Sequence, residues 1–298
     1  MSRWDGIEEF VAVEAAGSFA GGARALGAST SHVSRAIMRL ESRIQAQVFF
    51  RTTRSVTLTE TGRALAEQFR RIIQQRDEAF AMVSDESDPQ GELRLTCSTT
   101  MGERFVAPIV RRFAEEYPRL NVTFELTNRL VDLVAEGYDL AIRTGNLTDS
   151  RLVGSRIASR RLYLCAAPAY LNRMGRPDGI DELARHQCLI GTAVHWHFKR
   201  DGQDHSFRPS GRWRCNSGTS VVDAALAGMG LCQLPDFYVM PHIAAGRLET
   251  LLDQYQTDDE PIWAVYPHRR HLLPKVRKLL VRLRAELGPA LGSGQGGD

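Results

Sequence analysis

The sequence has no apolar run near the ~20 residues that a helix needs to cross a bilayer, which argues against a membrane protein. It also has no glycine-rich phosphate loop, nucleophile elbow or metalloprotease motif, so we predict neither catalytic residues nor a cofactor. The N-terminal segment carries the acids Asp5, Glu8 and Glu9 instead of the basic and then apolar stretches of a signal peptide. Together these absences predict a cytoplasmic protein that is not an enzyme.

Cysteine is scarce: the five residues are widely spaced and form no C-x-x-C pair. Cys97, Cys165 and Cys232 lie in apolar runs, where a free cysteine packs as a small hydrophobic residue. We therefore predict reduced thiols, with a redox-sensing pair as the alternative. His195 and His197 would share one face of a strand, but the sequence points to no third ligand, so no metal site is predicted.

A chain of 298 residues is long enough for two or more domains. Its net charge of +3 says little about nucleic acid, but the charge is unevenly distributed. Between residues 24 and 54, six arginines stand against one acid, Glu41. A second basic stretch, 269–284, is predicted to be a solvated helix face. The first cluster is more informative because it coincides with a helical motif.

Three short helices are predicted at the N-terminus. Apolar residues at helical spacing start at Ile7 and end near Gly17. Ser18 is a favourable N-cap for a second helix, Phe19 to Leu26, which Gly27 closes. The third helix carries one apolar stripe, formed by Val33, Ile37, Leu40 and Ile44. Helix, tight turn and polar helix in this order are typical of a helix-turn-helix.

The polar face opposite that stripe is predicted to enter the major groove of DNA, with its N-terminal residues against base edges. The predicted DNA contacts on this helix are Thr30, Ser31, His32, Ser34, Arg35 and Arg39. Two β-prone runs within 48–58 then predict a wing, from which Arg51 and Arg54 would reach phosphates. The alternative is a small helical domain that does not bind DNA.

A long helix is predicted after Thr59, which can cap it. About 25 residues at 1.5 Å each give a rod of roughly 35–40 Å. Because this helix has no core of its own, we expect its apolar positions to pair with a partner chain, and packing on its own C-terminal domain is the alternative. These positions are Leu65, Phe69, Ile72, Ile73, Phe80 and Val83. The acidic, proline-containing segment 85–91 marks a boundary.

Strands and helices alternate in the remainder of the chain. The pattern predicts strands at 93–97, 122–126 and 138–143, with helices at 105–117 and 130–136 between them. Such alternation favours an α/β fold with a largely parallel sheet. A second lobe begins with a strand at Leu162, and the chain returns to the first lobe near Ile262. Two crossings imply a hinged clamshell.

Ligands in open α/β sheets bind beyond the carboxyl ends of strands, and this rule selects candidate effector-binding residues. They are Ser98, Thr99, Thr100, Arg143, Thr144 and Thr219. Hydroxyl groups before a helix and the guanidinium of Arg143 can hold a carboxylate or carbonyl. A structural ion pair is the alternative role of Arg143.

Several sequence blocks are specific in their order and spacing: 17–19, 23–26, 29–41, 50–62, 132–143, 168–171, 225–235 and 266–272. These blocks resemble the LysR-type transcriptional regulators, and Gly137–Arg143 is similar to the CrgA-like subgroup. At Thr30 and His32 the chain departs from the Gln and Ala that are frequent in the family, which leaves the operator sequence open.

The resemblance implies an effector domain like the periplasmic solute-binding proteins and a homotetramer on double-stranded DNA with an interrupted palindromic operator. It also implies a small inducer, either a carboxylate or an aromatic compound. A redox-responsive regulator and a solute-binding module are the alternatives. The predicted domains are 1–60, winged helix-turn-helix; 61–88, linker and dimerisation helix; and 89–298, effector-binding domain, with lobe I at about 92–161 and 265–287 and lobe II at about 162–264.

Overall fold

A computed structural model of the chain describes residues 4–51, 56–81, 88–145, 151–268 and 273–293. The chain divides into two compact units, Met1–Glu86 and Ser87–Asp298. The first unit contains helices α1 (Ile7–Ala16), α2 (Phe19–Ala25), α3 (Thr30–Ile44) and α4 (Glu60–Ala81) and strands β1 (Phe49–Arg51) and β2 (Val56–Leu58). Among the described helices of the whole chain, none is long and apolar enough to cross a membrane.

The helix boundaries of the first unit follow from local caps. The Ser18 hydroxyl accepts a hydrogen bond from the Gly21 amide at 3.0 Å, and Gly17 and Gly27 both have positive φ angles. Gly6 has φ +93°, and a Cβ atom there would lie 2.6 Å from the Ala36 carbonyl oxygen. The start of α1 therefore approaches α3 more closely than any larger residue permits. The predictions of these three helices are confirmed.

One apolar core joins the helices and the wing. Phe10 of α1 and Phe49 of β1 have ring centroids 5.1 Å apart, and the α3 stripe of Val33, Ile37 and Leu40 is buried beneath them. Strands β1 and β2 pair antiparallel as the predicted wing. The turn between them lies outside the described residues.

The long helix α4 differs from its prediction in one respect. Thr59 caps it as expected, because its hydroxyl accepts from the Gly62 amide at 2.9 Å. However, Ala66 is buried in the core of its own unit, with Leu65 and Phe69 packed around it. The expectation that this helix has no core of its own is therefore wrong for its first turns. Farther along, Phe80 is 72% exposed.

The second unit has two lobes, and the first is built on a five-stranded sheet of order β4-β3-β5-β14-β6. Its strands are β3 (Gly91–Cys97), β4 (Leu120–Leu126), β5 (Leu140–Thr144), β6 (Leu152–Arg160) and β14 (Glu260–Pro267). Its helices are α5 (Thr99–Met101), a π-helical turn (Gly102–Val106), α6 (Ala107–Glu116) and α10 (Pro274–Ser293). Pro108 lies in the first turn of α6, where its missing N–H breaks no hydrogen bond within the helix.

Two expectations for this lobe need correction. β3 is parallel to β4 and β5, but β14 runs antiparallel to β5 and β6 because it carries the chain back from the second lobe. The sheet is therefore mixed instead of largely parallel. The segment 130–136 is a set of turns, not a helix: Asp132 accepts hydrogen bonds from the Val134 and Ala135 amides, which closes the chain locally.

The second lobe contains a three-stranded antiparallel sheet of order β12-β7-β13. The strands of the whole second lobe are β7 (Leu162–Ala166), β8 (Leu189–Ile190), β9 (Trp196–Arg200), β10 (Gln203–Phe207), β11 (Trp213–Arg214), β12 (Cys232–Pro235) and β13 (Glu249–Thr250). Its helices are α7 (Pro168–Met174), α8 (Gly218–Leu226) and α9 (Asp236–Ala244), with short 3-10 turns at Ile180–Arg185 and Asp253–Tyr255. Because β14 begins at Glu260, the predicted lobe boundary at about 264 falls inside a strand of the first lobe.

A buried ion pair ties α10 to the first-lobe sheet. The Lys275 ammonium lies 3.2 Å from the Asp139 carboxylate, with side chains 4% and 2% exposed. Lys275 also donates to the Glu92 carbonyl, and the Arg94 amide donates to Asp139 at 2.9 Å. Both charges are thus hydrogen-bonded as well as paired, which offsets the cost of removing them from water.

Candidate nucleic-acid interface and ligand cavity

The first candidate site is the exposed face of α3. Ser29 caps this helix, because its hydroxyl accepts from the His32 amide at 3.2 Å and lies 3.1 Å from the Ser31 hydroxyl. Thr30, Ser31 and His32 are all exposed in the first turn. Arg35 is exposed too, and Ser34 is half-buried. Five of the six predicted contacts on α3 therefore lie on or beside one accessible surface.

The His32 ring has a partner on α1. Its Nε2 lies 3.3 Å from the Glu9 carboxylate, with side chains 52% and 14% exposed. Glu9 also accepts from the Gly6 amide at 3.1 Å and so caps α1. The contact orients the imidazole at the surface while leaving most of its edge accessible.

Arg39, the sixth predicted contact, is already engaged. Its Nε and Nη2 donate to the two carboxylate oxygens of Asp5 at 2.7 and 3.1 Å. Arg43 adds a bond to the Asp5 carbonyl at 3.0 Å. The hydrogen bond from Arg39 holds the pKa of Asp5 below its ordinary value of 3.8. In this structure Arg39 therefore fastens α3 to the start of α1. The side chain of Arg51, and Arg54 entirely, lie outside the described residues.

The second candidate site is a cavity of about 170 Å³ at the carboxyl ends of β3, β4 and β5. It is lined by Ser98, Thr127, Asn128, Arg129, Leu130, Ile142, Arg143, Thr144 and Thr192. The structure thus brings together three of the predicted residues, Ser98, Arg143 and Thr144. Thr192, in the segment after β8, is the contribution of the second lobe.

Asn128 connects the two lobes beside this cavity. Its Oδ1 accepts from the Thr99 amide at 3.1 Å, and its Nδ2 donates to the Asn216 carbonyl at 2.7 Å. Thr99 therefore helps to place Asn128 although it does not line the cavity itself. Thr127 and Asn128 were not predicted, but they follow β4 as Ser98 follows β3, and the same strand-end rule finds them.

Thr100 and Thr219, which were also predicted to bind the effector, are not among the residues that line the cavity. Thr100 hydrogen-bonds to the Tyr238 hydroxyl, and burial raises the pKa of Tyr238. Tyr238 packs against the cores of both lobes. A Cβ atom at Gly218 would lie 2.3 Å from the Tyr238 ring, so the start of α8 depends on glycine there. Thr219 is exposed on the first turn of α8.

Ion pairs join the two strands that cross between the lobes. Arg160, at the end of β6, donates to Glu260 at the start of β14 at 2.6 Å. The next residue, Arg161, donates to Asp259 at 2.7 Å. Arg160 also donates to the Thr144 hydroxyl at 3.1 Å. A cavity residue is therefore hydrogen-bonded to the crossing on which a hinge motion would depend.

The cysteines are all free thiols. Cys165 and Cys232 face each other across β7 and β12 with their sulfur atoms 3.5 Å apart. The hydrogen bond between them and burial raise the pKa of Cys232 well above its ordinary value. Burial also raises the pKa of Cys97 to about 12 and that of Cys188 to about 11. Since the thiolate is the reactive form, the raised pKa values lower the reactive fraction of Cys97, Cys188 and Cys232 at neutral pH.

No three His, Cys, Asp or Glu side chains within the described ranges come close enough to hold a metal ion. His197 of β9 is exposed, with its backbone amide bonded to Gln233. His195 is exposed in the preceding loop.

The chain combines a winged three-helix domain that exposes a polar helix with a two-lobed domain that carries a cavity. This combination defines the class of ligand-responsive DNA-binding proteins. Comparison with known families agrees. Residues 4–63 match the bacterial regulatory helix-turn-helix protein, lysR family, and residues 86–288 match the LysR substrate binding domain. The chain belongs to the LysR family of transcriptional regulators, with a DNA-binding and an effector-binding domain.

Individual relatives span nearly the whole chain. The HTH-type transcriptional activator AaeR of Escherichia coli K12 is 32% identical over 285 residues, 94% of this chain and 92% of AaeR. The HTH-type transcriptional activator TtdR of the same strain is 30% identical over 292 residues, 96% and 94% of the two chains. CrgA of Neisseria meningitidis, a LysR-type regulator of solved structure, aligns over 100% of both chains with a TM-score of 0.54 and 30% identity.

Proposed function

We propose that the exposed face of α3 reads operator DNA in the major groove. The observation that carries this proposal is the capped first turn, where Thr30, Ser31 and His32 are all accessible. Small hydroxyl groups permit close approach to base edges, and a helix N-terminus favours nearby phosphate. Ser34 and Arg35 extend the same surface, while Arg39 acts through its bond to Asp5. We assign phosphate contacts on the wing to Arg51 and Arg54.

The effector domain is proposed to bind a small-molecule inducer in the cavity between its lobes. Ser98, Arg143 and Thr144 line this cavity, Thr100 acts through Tyr238, and Thr99 acts through Asn128. Binding shifts the equilibrium between lobe arrangements only if the inducer has different affinities for them. The hydrogen bond from Arg160 to Thr144 supplies a route from the cavity to the crossing. Thr219, on α8, is the candidate contact after closure.

We further propose that the chain acts as a homotetramer of linker-paired dimers on an interrupted palindrome, in the cytoplasm and without catalytic chemistry of its own. Exposed Phe80 in the second half of α4 supports pairing of this helix with a partner chain. AaeR and TtdR are both named transcriptional activators, which supports activation as the output.

The test of DNA reading places a negative charge on the proposed contact surface. An acid in the first turn favours the helix itself, so Ser31→Asp should fold while its carboxylate repels DNA. We expect at least tenfold weaker binding of the full chain to duplexes selected by the wild type, measured by fluorescence anisotropy at fixed salt.

The matched control is Ser206→Asp, on the exposed hairpin strand β10 of the effector domain. It adds the same charge and should leave the affinity unchanged. Equal affinities of Ser31→Asp and wild type would overturn the placement of α3 in the groove.

A further inference from the structure

The guanidinium of Arg143 is the least satisfied charged group described around the cavity. Its Nη1 donates to the carbonyl of the neighbouring residue Ile142 at 3.2 Å. Its Nη2 is buried without a hydrogen-bond partner among the described residues. Burial lowers the pKa of Arg143 below that of a solvated guanidinium. Leaving a buried donor of a charged group unbonded costs free energy, so the site is poised to gain from an acceptor.

The neighbouring arginines, in contrast to Arg143, are paired with carboxylates. Arg129 places both Nη atoms on the Glu136 carboxylate, at 2.9 and 2.8 Å. Arg160 is paired with Glu260. The nine residues that line the cavity include no Asp or Glu. The positive charge of Arg143 is therefore uncompensated by any carboxylate in the described lining.

The other residues that line the cavity restrict which chemical groups a negatively charged ligand of Arg143 can carry. Only Leu130 and Ile142 are apolar, and none of the nine lining residues is aromatic. Ser98, Thr127 and Thr192 contribute hydroxyl groups, which can each donate and accept a hydrogen bond. Sites for aromatic ligands are instead lined mainly by apolar and aromatic side chains. This lining therefore favours a hydroxylated ligand over an aromatic one.

The volume adds a size limit. At about 170 Å³, the cavity lies below the ~300 Å³ at which pockets for drug-sized ligands begin. A ligand of a few carbon atoms fits this volume.

Resting on the function proposed above, we propose that the effector is a compact hydroxylated carboxylate whose carboxylate binds Arg143. A rotation of the guanidinium toward the cavity exchanges an unbonded Nη2 for a charge-assisted bond to the ligand. The ligand hydroxyls then bond to Ser98 and Thr127 of the first lobe and to Thr192 of the second. Contact with Thr192 joins the lobes through the ligand.

The experiment measures binding of small probes to the full chain by calorimetry. The probes are glycolate, L-lactate, L-malate and L-tartrate, each compared with its neutral amide and with benzoate. We expect at least one hydroxycarboxylate to bind at least tenfold more tightly than its amide, because only the acid supplies a charged acceptor. Benzoate should bind more weakly than that hydroxycarboxylate.

Variants then assign the preference to one side chain. Arg143→Gln should abolish the discrimination between acid and amide. Arg143→Lys keeps the charge but loses the bidentate geometry of the guanidinium, so it should bind the hydroxycarboxylate weakly. Arg111→Gln, an exposed first-lobe arginine paired with Glu115, is the matched control and should bind as the wild type does. Arg143→Gln should also raise the midpoint of thermal unfolding without ligand, because it removes an uncompensated buried charge.

The proposal would be overturned by no binding of any hydroxycarboxylate, by equal binding of acid and amide, or by a lower unfolding midpoint of ligand-free Arg143→Gln. The last would show that Arg143 serves a structural partner. If a neutral or aromatic compound binds instead and alters operator affinity, the proposed ligand class is wrong, but the proposed ligand-responsive function stands. The Ser31→Asp test of DNA reading is independent of all of these outcomes.

Discussion

The exposed face of α3 and the interlobe cavity differ in whether their charged groups are exposed to water. On the helix face the charged groups are solvated, and one of them, Arg39, is paired with Asp5 at the surface. In the effector domain charges are withdrawn from water: Lys275 and Asp139 are paired in the core, and Nη2 of Arg143 is buried without a hydrogen-bond partner among the described residues. A surface that meets polyanionic DNA can stay wet, whereas a cavity that selects one small ligand gains by holding a charge that only the ligand satisfies.

The two sites also differ in how they are assembled from the chain. The helix face comes from consecutive residues, and one N-cap, Ser29, fixes its start. The cavity is built from four separate segments, around residues 98, 128, 143 and 192. Burial multiplies the energetic weight of each charge, so the two regions should respond differently to the loss of one.

The largest expected effect is on the buried pair. Lys275→Met removes one partner and leaves Asp139 buried without its counter-charge, which should cost about 3–5 kcal/mol of unfolding free energy. Urea unfolding of the full chain, followed by circular dichroism, measures the loss. Lys199→Met is the control, because its partner Asp258 is 87% exposed and such pairs contribute at most about 1 kcal/mol. Equal losses in the two variants would contradict the contrast between buried and surface charge.

A smaller effect is expected at Asp5, and it depends on pH. Because Arg39 lowers the pKa of folded Asp5 below 3.8, the pair contributes stability above that pH and loses it as pH falls through the folded pKa. Asp5→Asn should therefore be less stable than the wild type at pH 7, and the difference should shrink as the pH falls below 3.8 through the folded pKa of Asp5. Unfolding curves across this range test the prediction, with exposed Asp204→Asn as the control. A pH-independent difference would show that the charge is not what stabilises the contact.

Much of the helix face could be predicted from the sequence because its determinants are local. The stripe from Val33 to Ile44 fixes which side of α3 is buried, and caps at Ser18 and Thr59 fix neighbouring helix starts. The partners of Arg39 and His32 could not be predicted, because Asp5 and Glu9 reach them only after α1 packs on α3.

The cavity was less predictable because it depends on long-range packing. The strand-end rule selected Ser98, Arg143 and Thr144, which do line the cavity, and it applies equally to Thr127 and Asn128. Thr192 has no local signal, since only the approach of the second lobe brings it to the cavity. The mixed sheet was missed for a related reason: the direction of β14 is set by the return of the chain from the other lobe.

The most direct test of the central claim is the operator sequence itself. Wild type, His32→Ala and His205→Ala should each be used to select duplexes from a random pool as full-length protein. If α3 reads base edges, His32→Ala should change the preferred bases at defined positions in each half-site, while His205→Ala, an exposed histidine of β10 in the effector domain, should select the wild-type sequence. Identical selected sequences for His32→Ala and the wild type would contradict the account.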